Sequence, residues 1–132
     1  MSKEMFWLVL TVAMTGLIWV PYILDRTMVR GLMGAMANPS SSDKPQSAWA
    51  QRMMAAHENA AQNLVIFAPL VFVVQGLALT SAITAFACAL YFWSRLVHVT
   101  VYTLGIPVLR TLGFAGGFAA QALLALAIFK VV

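Results

Sequence analysis

Four apolar stretches, separated by short polar or helix-breaking segments, organise this chain. The first runs from about Met5 to Leu24, with Pro21 near its end and Asp25 and Arg26 directly after it. Residues 37–47, "ANPSSSDKPQS", form the only clear loop, rich in Ser, Pro and Asp. A long helix then starts near Trp49. Its first half is polar ("AQRMMAAHENAAQN") and its second apolar ("LVIFAPLVFVVQGLAL"), with a kink expected at Pro69. A short "TSA" turn leads into a third helix, about Ile83 to Leu104. Gly105 and Pro107 break it before a fourth, about Val108 to Phe129. Each segment reaches the roughly 20 residues that a helix needs to cross hydrocarbon. The pattern predicts an all-α integral membrane four-helix bundle. It has one domain over 1–132, with helices at about 5–30, 48–79, 82–104 and 107–130.

Composition supports a lipid solvent. Of 132 residues 62% are hydrophobic and only 9% charged, against about one quarter charged in soluble domains. So small a globule cannot hide that much apolar surface from water. The net charge of +4 is scattered, without the basic stripe that a nucleic-acid backbone requires. The single Cys88 excludes an intrachain disulfide and a cysteine metal cluster, and reads as a small buried apolar residue. "AMA" before Asn38 mimics a signal-peptide cleavage site. Asp25, Arg26 and Arg30 separate it from the apolar run, so the first helix reads as retained. Four spans put both termini on one side, with Lys3 and Lys130. Arg26, Arg30, Lys44, Arg52 and Arg110 fall on the other, which the positive-inside rule assigns to the cytoplasm. The loops after the first and third spans are therefore expected to be cytoplasmic and the termini not.

Arg95, His98 and Tyr102 stand inside the third apolar run at spacing i, i+3, i+7, on one helical face. An arginine at the centre of a membrane helix costs about 2.5 to 3.5 kcal/mol on insertion scales, so this face must meet a bundle interior or a wet cleft. Helix gluing by a carboxylate is one reading. Of Glu4, Asp25, Asp43 and Glu58, only Glu58 reaches membrane depth, and an anionic ligand is the stronger reading. On the second helix Arg52, Asn59 and Asn63 fall within about 40° of one another, with Gln62 about 60° from Asn59. His57 lies about 160° from Asn59, and no helix carries metal ligands at i, i+4, so no metal site is expected. Arg30 and Arg110 sit at the same level. The residues Arg30, Arg52, Asn59, Gln62 and Arg110 thus converge on the Arg95 face, a mostly cationic cleft for an anionic, amide-rich small molecule. An apolar second substrate would enter beside it from the membrane. Gly113, Gly116 and Gly117 read as a close helix-packing surface.

"RMMAAHENAAQNLVIFAPLVF" followed by "SRLVHVTVYTLGIPVLRTLGF" resembles the MAPEG family, the membrane-associated proteins of eicosanoid and glutathione metabolism. "RGLMGAMANP" at 30–39 is similar to the family's segment after its first helix, and the likeness spans roughly residues 26–118. The resemblance implies a homotrimer that binds glutathione between subunits on the cytoplasmic side. By motif, Arg30 and Asn59 match glutathione contacts, and Arg95, His98 and Tyr102 match the face lining that site. Arg110 falls at the arginine credited with holding the thiolate, and is the expected catalytic residue. Thr111 follows it where some members have Ser. Ala55 stands where glutathione-using members have arginine, and Gln62 where they commonly have glutamate; Arg52, one turn earlier, is a candidate substitute for the missing arginine.

Together these features predict a glutathione-dependent membrane transferase acting on an apolar electrophile, with peroxide reduction as a second reaction. The alternative is a non-catalytic protein holding a lipid headgroup or other anion on the same scaffold. A transporter lacks support, because the chain shows neither internal symmetry nor paired broken helices.

Overall fold

The computed structural model describes residues 1–132 as five helices: α1 (Lys3–Leu17), α2 (Trp19–Met36), α3 (Ala48–Gly76), α4 (Ala82–Leu104) and α5 (Pro107–Ile128). Together α1 and α2 make one apolar span, and α3, α4 and α5 make three more. The break at Ile18 lies three residues before Pro21, which has no N–H to return to the Leu17 carbonyl. Helix α2 runs on past Asp25 and Arg26, and its regular geometry is interrupted only at Gly31, directly after Arg30. It continues through these charged residues because the following loop satisfies them. The Asp25 carboxylate accepts from the Ser47 backbone N–H at 3.0 Å and from the Ser47 hydroxyl. Arg26 Nε donates to Gln46 Oε1 at 3.0 Å, and Gln46 Nε2 donates to the Tyr22 carbonyl at 2.7 Å. Arg30 pairs with Asp43 at 3.0 Å and donates from Nε to the Lys44 carbonyl at 2.8 Å. The 37–47 loop is thereby strapped to α2.

At the other end, Ser81 and Thr84 cap α4 reciprocally, and Thr84 Oγ1 donates to the buried Glu4 at 2.6 Å. Helix α4 stops at Gly105, whose φ of +80° suits a residue without Cβ. Pro107 opens α5, where its missing N–H costs nothing. The chain reverses there, and α4 and α5 form the most extensive helix pair in the bundle.

The core is narrow. Toward the termini, Phe67 and Tyr91 stack at 3.7 Å among Leu8, Val71, Val74, Ala87, Cys88, Ala120 and Leu124. Toward the opposite end a smaller group holds Ile18, Ala56, Ala60 and Val99. Only 26 of 132 residues are buried, and Phe72, Phe86, Trp93 and Phe118 are all more than half exposed. So little burial leaves an apolar exterior that lipid or further chains must cover.

Candidate functional site

The polar residues of α4 meet those of α3 at the end of the bundle away from the termini. Arg95 is 1% exposed. Its Nη2 donates to Asn59 Oδ1 at 2.5 Å and lies 3.3 Å from His98 Nδ1. Arginine has no acceptor, so the second contact is a hydrogen bond only when Nδ1 is bare and the imidazole proton sits on Nε2. Asn63 Nδ2 donates to the Asn59 carbonyl at 2.9 Å, and Gln121 Nε2 donates to the Asn63 carbonyl at 3.2 Å. A polar chain therefore runs from α5 through α3 to α4, inside the membrane-spanning part of the molecule.

Glycines on α5 let this chain form. A Cβ on Gly117 would meet Arg95 Cδ at 3.2 Å, and one on Gly113 would meet the His98 backbone at 3.1 Å. Any larger residue there would push α5 off the two side chains that build the site. Arg95 Nε and Nη1 and the Tyr91 hydroxyl are buried beside this seam without hydrogen-bond partners.

Arg95 does not itself line the cavity of ≈ 230 Å³ in front of it. That space is bounded by Asn59, His98, Tyr102, Arg110, Thr111 and Phe114. The Tyr102 ring stands edge-on to His98 at 5.6 Å, and the Arg110 guanidinium lies 4.6 Å over the Tyr102 ring. The lining contains no carboxylate, and Arg110 makes no ion pair. Such a cavity offers a guanidinium and neutral hydrogen-bond donors, a set that suits an anion. Across the Gly113–His98 contact, an apolar groove of ≈ 280 Å³ is formed by Trp93, Ser94, Val97, Leu109, Leu112 and Gly113.

Five of the eight residues that the sequence nominates are thus gathered here: Asn59, Arg95, His98, Tyr102 and Arg110. Arg52 lies next to them, its Nε donating to the Thr103 carbonyl at 2.9 Å and so capping the end of α4. Arg30 and Gln62 lie apart within one chain. Arg30 lines a separate cavity of ≈ 490 Å³ under the 37–47 loop, and Gln62 is exposed on α3, 3.4 Å from Glu58. His57 turns away from the Arg95 face and bonds the Tyr22 hydroxyl at 2.9 Å. Two members of the polar seam escaped the sequence reading. Tyr91 precedes Arg95 by one turn, and Gln121 follows Gly117 by one turn as the sole amide of α5, so helical spacing could have found both.

Comparison with known proteins gives one match. The family model for MAPEG, described as the MAPEG family, matches residues 5–130. No curated protein and no solved structure matches the chain. With four apolar spans and a match over nearly its whole length, the chain belongs to the MAPEG family.

Proposed function

We propose that the chain is a glutathione-dependent membrane transferase acting on an apolar electrophile. Its site lies at the cytoplasmic end and is completed by a neighbouring subunit of a homotrimer. The carrying observation is the carboxylate-free cavity bounded by Asn59, His98, Tyr102 and Arg110 and braced from behind by Arg95. MAPEG members generally use glutathione, an anionic thiol that such a lining fits. At ≈ 230 Å³ the cavity falls below the roughly 300–1,000 Å³ usual for small-molecule sites. A second subunit is therefore needed to enclose a tripeptide, and Arg30, which lines a separate cavity within one chain, reaches the ligand only if that subunit brings it there.

A free thiol has a pKa of about 8.5 and is mostly protonated at neutral pH. The Arg110 guanidinium favours the thiolate, the form that reacts. Its sulfur forms a bond to the electrophilic carbon, the leaving group departs with the bonding pair, and the thiol proton passes to water. With a hydroperoxide, two glutathione thiols are oxidised to the disulfide while the O–O bond is reduced to an alcohol and water. Asn59, His98 and Tyr102 hold the tripeptide. Arg95 is a positioning residue that fixes the Asn59 amide and the His98 tautomer.

The purified protein should consume an activated aryl chloride only when glutathione is present. Arg110→Ala should lower kcat/KM about 100-fold, the scale of losing one charge-stabilising donor. Absence of glutathione-dependent turnover in the wild type, or unchanged kinetics in the variant, would overturn the proposal. The second reading is a site that holds an anion without chemistry. It draws on Ala55, an exposed position on α3 that supplies no cation. Co-purified phospholipid that glutathione does not displace would favour it.

A further inference from the structure

Of the four carboxylates, three are occupied. Glu4 accepts from Thr84 at the end nearer the termini. Asp25 is bonded by Gln46 and Ser47, and Asp43 is paired with Arg30 in the only ion pair of the chain. Glu58 is exposed, has no cation within reach, and accepts one long hydrogen bond, from Gln62 at 3.4 Å. It directly precedes Asn59, the residue that holds Arg95. Glu58 therefore lies at the depth of the polar seam, about 15 Å along α3. A lone carboxylate at that depth is costly unless a partner meets it.

The position of Glu58 on α3 indicates which partner. At 100° per residue, Ala55, Gln62 and Glu58 fall about 40°, 60° and 100° from Asn59 in the same direction. They form one continuous exposed strip. The strip begins at Asn59 in the anion cavity and ends at Glu58, which lines a separate cavity of ≈ 360 Å³ with Tyr22 and His57. A ligand whose anionic part rests near Asn59 and Arg110 can extend along this strip and present a cation to Glu58. Adjacent Cα atoms are about 3.8 Å apart and a tripeptide spans about 10 Å, so one molecule reaches both.

We infer that Glu58 binds the ammonium group of the thiol co-substrate, with Gln62 orienting the carboxylate, so that the site selects a zwitterion over a simple anion. This inference rests on the glutathione reading above. Glutathione carries its only ammonium on the γ-glutamyl residue, which makes that end the one facing Glu58.

The test compares glutathione with its desamino analogue, in which hydrogen replaces that ammonium, by calorimetric titration of the detergent-solubilised protein. The wild type should prefer glutathione about tenfold, the scale of one charge-assisted hydrogen bond. Glu58→Gln should bind both ligands equally, with affinity for the analogue unchanged. Adding Gln62→Glu to that variant should restore the preference, because residue 62 lies one turn along the same strip. A preference that survives Glu58→Gln overturns the inference. So does an equal loss for both ligands, which would assign Glu58 to a subunit contact. If Glu58→Gln fails to assemble, Gln62→Glu alone should raise the preference severalfold, and an unchanged preference overturns the inference. Failure of both ligands to bind the wild type would instead overturn the glutathione reading, and this inference with it.

Discussion

Arg95 organises the site without lining it. Its guanidinium sits behind Asn59 and His98, and two of its nitrogens have no partner. Removing the partner and removing the charge should therefore have different consequences. Asn59→Leu strands a buried cation and should destabilise the fold by about 2 kcal/mol. Arg95→Leu removes the cation together with its unpartnered N–H groups and should be close to neutral. Unfolding midpoints in mixed detergent compare the two, and a larger loss for Arg95→Leu would contradict this account. The face shared by Arg95, His98 and Tyr102 was legible from helical period alone. Asn59 was expected on the same cleft, but as a ligand contact; its direct bond to Arg95, across 36 residues of sequence, was not legible. Glu58, the acid nearest in depth, lies about 100° around α3 from Asn59 and does not meet Arg95.

At the scale of elements, the seam between α4 and α5 fixes the site. Gly117→Val would drive a side chain into Arg95 Cδ, and should cost about 1–3 kcal/mol while weakening ligand binding. Unchanged stability and binding would show that the seam has slack. The strap between α2 and the start of α3 makes a second test. Asp25→Ala removes the acceptor for Ser47 and Gln46 and should speed protease cleavage within 37–47 severalfold. An unchanged cleavage rate would show that Arg30 and Asp43 alone hold the loop. The chain reversal at Gly105 and Pro107 was readable, since each residue has one structural use there. The first helix was expected to run through Asp25 and Arg26 to about residue 30; what could not be read is the loop that satisfies these charges by folding back on α2.

For the whole molecule, sequence and structure agree on an all-α chain with four apolar spans, because hydropathy over about 20 residues is a strong signal. Assembly is a different matter, since it depends on surfaces that one chain cannot interpret. The exposed apolar side chains on α3, α4 and α5 serve lipid and protein contacts equally well. The small cavity volume argues for a second subunit, and native mass measurement in detergent should give three chains per particle; a monomer that still binds glutathione would contradict shared sites. The central claim is that the seam between α3, α4 and α5 builds a glutathione site, and calorimetric titration of glutathione into the solubilised protein tests it most directly. The account expects saturable binding to the wild type and its loss in Arg95→Leu, with helicity and particle mass unchanged. No binding to the wild type, or equal affinity in the variant, would contradict it.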